Sequence, residues 1–168
     1  MLGADLTLYE EDERRLAAVL RRLCEDAKSR AVFLIDKSGQ LIAAAGETAN
    51  VDTTSLASLT AGNIAASGGL AQLLGEKEFS VLFHEGEKDN LHISVVAQRA
   101  ILVVLFDRRS SLGLVRLRLK RAAEDIGQAF ADMALRTQQE AGRGRAAFQA
   151  TRWPAARIEL VGNPTAAA

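Results

Sequence analysis

The sequence predicts one mixed α/β domain, an α+β sandwich whose elements run in the order α-ββ-α-βββ-α. Two charged stretches, near the start and after residue 110, carry apolar residues at helical spacing. Between them lie five short apolar runs bounded by turn residues, the signature of strands. An uncharged run from Thr53 to Gly75 divides those five runs into a pair and a trio. A chain of 168 residues can bury one proper core and has no room for two ordinary domains.

The first helix is predicted from Glu11 to Ser29, where Leu16, Val19, Leu20, Leu23 and Ala27 fall on one face. Glu10, Glu11, Asp12 and Glu13 load its start with charge that suits the positive end of the helix dipole. The period then changes: AVFLID (31–36), the turn Lys37-Ser38-Gly39-Gln40 and LIAAAG read as a hairpin. Asp52 is the expected N-cap of a second helix that runs to about Leu74 and stops at Gly75. Three more strands follow, EFSVLFHEG, LHISVVAQ and ILVVLF. The near-continuous apolar character of AVFLID and ILVVLF makes them central strands with helices covering both sides, whereas EFSVLFHEG belongs at an edge. The third helix buries a stripe of Leu112, Val115, Leu119, Ala122, Ile126, Phe130 and Met133, with Arg116, Arg118, Lys120 and Arg121 off it. Residues 1–136 therefore form the domain. Residues 137–168, interrupted by Gly and Pro, are expected to be a mostly disordered basic tail in which Phe148, Trp153, Ile158 and Leu160 could anchor.

Lys plus Arg and Asp plus Glu both number 21, so the chain as a whole has no net field to attract nucleic acid or a membrane surface, and neither is expected as a partner. Its single cysteine, Cys24, excludes an internal disulfide and a multi-cysteine metal site. The acidic start MLGADLTLYEEDERR is unlike a secretory signal, and the protein is expected in the cytoplasm. The uncharged run is long enough to span a bilayer, but its Ser, Thr, Asn, Gln and Gly residues argue against membrane insertion.

Groups able to do chemistry are scarce. His84 and His92 could be neighbours across a hairpin, yet no further ligand at metal-site spacing accompanies them. Cys24, on a helix, reads as a small hydrophobe. Asp36 and Asp107 each follow a central strand, where turn-forming aspartates are common. No phosphate-binding glycine motif is present, and neither a metal, a cofactor nor a catalytic residue is expected.

The second helix is the informative element. Leu56, Leu59, Asn63, Ala66, Leu70 and Leu73 mark a seam expected to bury against the sheet, while Ser58, Ala61, Gly62, Ala65, Gly68 and Gly69 keep the rest of the cylinder thin. Each glycine inside a helix costs up to about 1 kcal/mol relative to alanine. Either the helix packs tightly on its own sheet, or it offers a second surface to another chain.

The element order, VFLIDKSGQLIAAAG, DTTSLASLTAGNIAASGGLAQLLGE, FHEGEKDNLHISVV and VVLFDRRSSLGLVRLRLKRA together resemble the roadblock/dynein light chain family, in its bacterial MglB-like branch. The likeness covers about residues 5–135. It implies a five-stranded antiparallel sheet with the second helix on one face and the first and third on the other. It also implies a homodimer with the second helices side by side, and a small Ras-like MglA-like GTPase partner whose hydrolysis is accelerated. The associated biology is cell polarity and gliding motility, with enrichment at a cell pole. Ser58, Ala61, Gly62, Ala65 and Gly69 would form the GTPase-binding surface, acting sterically and donating no catalytic group. Relatives can carry an acidic C-terminal segment where this tail is basic and aromatic. The competing expectations are a dimeric scaffold that binds a GTPase without activating it and an independent hydrolase.

Overall fold

The computed structural model describes residues 6–150, with side chains described as far as Arg143. Its elements are α1 (Glu10–Asp26), β1 (Ala31–Asp36), β2 (Leu41–Gly46), α2 (Thr53–Leu74), β3 (Val81–His84), β4 (Asn90–Val96), β5 (Ala100–Phe106) and α3 (Leu112–Ala150). The strands form one antiparallel sheet in the order β2-β1-β5-β4-β3. β1 is buried along its whole length and β5 almost so, as their unbroken apolar sequences require. Alternation then divides the core. Val32, Leu34, Leu102 and Val104 meet α1 and α3, while Phe33, Ile35, Ile93, Ile101 and Val103 meet α2.

The α1/α3 side is filled by large residues. Leu16, Leu20 and Leu23 of α1 interlock with Val115, Ile126, Phe130 and Met133 of α3. The expected stripe of α3 is therefore the buried one. The helix does not stop near Arg136, however, but continues through Ala150. Its continuation, TQQEA, is rich in good helix formers, and it is tied back to the N-terminal segment. Arg136 pairs with Glu11 and Asp12 and lies over the Tyr9 ring, whose hydroxyl donates to Glu140 at 3.0 Å. Gly142 and Gly144 weaken a helix already propagating; they do not have to be nucleated through. The anchor candidates Trp153, Ile158 and Leu160 lie outside the described residues, as does the Phe148 side chain.

The boundaries of α2 follow the sequence. Asp52 accepts from the Ser55 amide at 3.1 Å, and Gly75 closes the helix in the left-handed conformation at φ 74°. Its buried face does not follow. Ala57, Thr60, Ser67 and Ala71 are buried with Ile64 beside them, whereas Leu59, Leu70 and Leu73 are 74%, 56% and 82% exposed and Ala66 is exposed too. Two stripes share the three-four spacing, and the sheet has taken the smaller one. Small residues let the helix lie close, and the β1–β2 turn comes closer still: a Cβ on Gly39 (φ 91°) would stand 3.2 Å from Ser58 Cα.

His92 on β4 is 2% exposed, on the α1/α3 face, and its Nδ1 has no hydrogen-bond partner among the described residues. Burial, helped by the nearby charge of Arg116, holds its pKa below the usual histidine value. The unfolded chain thus takes up a proton first. Stability should be complete above about pH 6.5 and be lost progressively below it, as pH falls toward the folded-state pKa. Urea unfolding at pH 7 and 5.5 should reveal this loss, and His92→Gln should flatten it; wild-type stability equal at both pH values would contradict the assignment.

Candidate functional site

The outward face of α2 carries no charged residue from Thr53 to Leu74 and has two parallel stripes. One is small: Ser58, Gly62, Ala65 and Gly69, at four-three-four spacing, are all exposed. Ala61, expected beside them, is half-buried and packs into the core under the helix, so it supports this surface more than it forms it. The other stripe is large and apolar: Leu59, Ala66, Leu70 and Leu73. A Cβ added at Gly62, Gly68 or Gly69 would meet nothing within 4 Å. Packing within the chain therefore gives no reason for these glycines, and the own-sheet explanation fails at all three positions.

Next to α2 lies β3, the edge strand at one end of the sheet, with no strand beyond it among the described residues. Asn63 of α2 reaches it through a 3.1 Å hydrogen bond to the His84 ring. Val81 and Phe83 of β3 are partly exposed on the opposite face, where Phe83 stacks on Phe106 with ring centroids 6.2 Å apart.

The scattered chemical groups do not converge. His84 pairs with Leu91 and Phe83 with His92, so the two histidines point to opposite faces of the sheet. Among the described residues no group of three or more His, Cys, Asp or Glu is placed to hold a metal. Asp36 and Asp107 lie at opposite ends of the antiparallel β1–β5 pair. Burial raises the pKa of Asp36, but hydrogen bonds from the Ser38 hydroxyl and from the Gln40 and Ser38 amides outweigh it and keep the carboxylate ionised. Asp107 caps its own loop by accepting from the Arg109 side chain and amide, which lower its pKa. Cys24 is half-buried, and its thiol donates to the Ser29 carbonyl at 3.3 Å.

Sequence reasoning missed a charge cluster at one end of the sheet. Arg30 donates to both oxygens of Asp89 at 2.8 Å and to Glu47 at 3.1 Å, and Arg109 reaches the other oxygen of Glu47 at 3.3 Å. Arg30 and then Arg109 hold the Glu47 carboxyl below its ordinary range. The hairpin itself carried the signal: Ala31 pairs with Gly46, which sets Arg30 and Glu47 opposite each other one residue beyond.

Among the described residues no helix is long and apolar enough to cross a membrane. The Roadblock/LC7 domain matches residues 16–106. MglB of Myxococcus xanthus is 56% identical, with TM-score 0.72 over 76% of this chain and 96% of that one. The gliding protein MglB of Thermus thermophilus is 35% identical, with TM-score 0.69 over 74% and 94% of the two chains. An MglB solved in a tetrameric arrangement is 34% identical, with TM-score 0.71 over 76% and 96%. No curated protein matches the sequence. The five-stranded sheet with its three flanking helices is the fold of those MglB structures, and this chain belongs to the Roadblock/LC7 family in its MglB-like form.

Proposed function

We propose that this protein is a homodimeric regulator that stimulates GTP hydrolysis by a small Ras-like GTPase of the MglA type, and through it controls polarity and gliding motility from a cell pole. The observation that carries the reading is the charge-free outer face of α2, with Gly62 and Gly69 open where nothing among the described residues needs glycine. Its two stripes divide the work. Leu59, Leu70 and Leu73 form the apolar surface that a second copy of α2 covers, with the β3 edge joining its symmetry mate. Ser58, Gly62, Ala65 and Gly69 form the small-residue surface on which the GTPase's switch region lies close, with Ala61 behind them. The similarity to MglB supports a regulator acting in a GTPase pathway, in place of an enzyme with its own substrate.

Activation on this reading comes from ordering groups the GTPase already has. Arg109 is already held by Asp107 and Glu47 at the end of the sheet, which leaves it poorly prepared to be inserted into a partner's active site. A scaffold that binds without stimulating is the competing reading. Phosphate release by the MglA-like GTPase with and without this protein decides between them, since binding without stimulation favours the scaffold.

Ala65→Arg should abolish GTPase binding while the dimer mass by light scattering stays unchanged; an unfolded variant would place Ala65 in the core instead. Gly62→Ala should leave the isolated protein as stable or up to about 1 kcal/mol more so, while weakening complex formation. A Gly62→Ala protein that is destabilised in thermal unfolding would return the glycine to intrachain packing. Arg108→Ala and Arg109→Ala, singly and together, should lower single-turnover hydrolysis at saturating regulator by less than about tenfold, or about 1.4 kcal/mol. A loss near a thousandfold with binding intact would identify a donated arginine.

A further inference from the structure

We propose that the outer face of the first half of α3 docks on an anionic lipid bilayer. Between Arg108 and Ala123 the chain has six cations and no acid, although the protein as a whole is neutral. Arg116, Arg118, Lys120 and Arg121 project from the buried stripe into solvent. Among the described residues these four and Arg108 make no ion pair, whereas further along the same layer Arg14, Arg15 and Arg136 are each matched by a carboxylate. Leu117 stands among them 66% exposed, with Lys120 and Arg121 one turn on. Glu124 and Asp125 bound the patch on α3, and Asp26 faces it from α1.

Shape selects the occupant. An acidic peptide needs a slot for its side chains, but the groove between α1 and α3, lined by Arg22, Asp26, Arg118, Arg121 and Asp125, encloses only about 20 Å³. That is room for about one water. What remains is an exposed cationic helix face with one exposed large apolar side chain, which suits a broad anionic plane with an apolar layer beneath it. Because α2 and α3 cover opposite faces of the sheet, a chain docked through α3 holds the small-residue stripe of α2 toward the cytosol side of the contact. That last consequence rests on the proposed role of α2; the docking itself does not.

Vesicle co-sedimentation of the full chain, with no GTPase present, tests the docking. The protein should partition onto phosphatidylglycerol vesicles and not onto phosphatidylcholine vesicles, and 0.5 M salt should release it. Each Lys or Arg near an anionic leaflet multiplies partition by about five, so Arg116→Ala/Lys120→Ala/Arg121→Ala together should lower it by about a hundredfold. Leu117→Ser should lower it further than charge alone explains, leaving a loss that persists at low salt. All of these positions are exposed, and circular dichroism should report an unchanged fold. Partition that is equal on both lipids, insensitive to salt or unchanged in the triple variant overturns the proposal, as does binding to duplex DNA without binding to vesicles. Stimulation of the GTPase by the triple variant, measured without lipid, reports separately on α2.

Discussion

The structure depends on the pairing of β1 with β5, two adjacent strands apolar on both faces. Phe33 opposes Val103 and Leu34 opposes Leu102, so neither face of the pair can be left to water. Burying either face of such a ladder removes several side chains from solvent at roughly 1.5–3 kcal/mol each. Helices on both sides are therefore obligatory, and the chain supplies them in the order its connections allow. β2 and β4 flank the pair, and β3 is left at the rim.

The two coverings are unequal, and the proposed function rests on the inequality. α1 and α3 cross the sheet as a pair of well-filled helices, whose large side chains interlock and whose polar faces are free to carry charge. α2 covers the other face alone, with alanine, threonine and serine turned inward beside Leu56 and Ile64, and it keeps Leu59, Leu70, Leu73 and Leu74 outside. A helix that gives its larger apolar side chains to solvent is poorly explained as part of a monomer. The proposed roles of α2 in protein contact and of α3 on a charged plane rest on this division.

Most of the architecture was legible because the patterns were unambiguous. AVFLID and ILVVLF have no polar face to expose, so their central place was readable, and Asp52 and Gly75 mark helix boundaries with groups that do that work elsewhere. The inner face of α2 was not legible. Ala57, Thr60, Ile64, Ser67 and Ala71 keep the same spacing as the leucines, and periodicity gives a direction only when one stripe is apolar and the other is not. Size suggested the leucines, but close approach to the sheet favoured the small residues. The length of α3 was missed for a different reason: its turns around Arg136 and Glu140 are held by Tyr9, Glu11 and Asp12, more than a hundred residues earlier, which no local window contains. Of the candidate surface, the glycines were readable as unusual, while the inward turn of Ala61 depended on a helix rotation that only tertiary contacts fix.

The charges around Arg30 have a meaning beyond holding loops in place. Arg30 precedes β1, Glu47 leads toward α2, Asp89 lies between β3 and β4, and Arg109 leads into α3. All four stand at one end of the sheet and share carboxylates, so no pair is independent of the next. Each exposed pair contributes at most about 1 kcal/mol, small enough to be exchanged by thermal motion. A pull on the loop before α2 that removed Glu47 would leave Arg109 to Asp107 alone and take one of the three hydrogen bonds that Arg30 makes to carboxylates. The shared guanidinium groups thus tie the loops before β1, α2, β4 and α3 to one another around the end of the sheet, outside the packed interior.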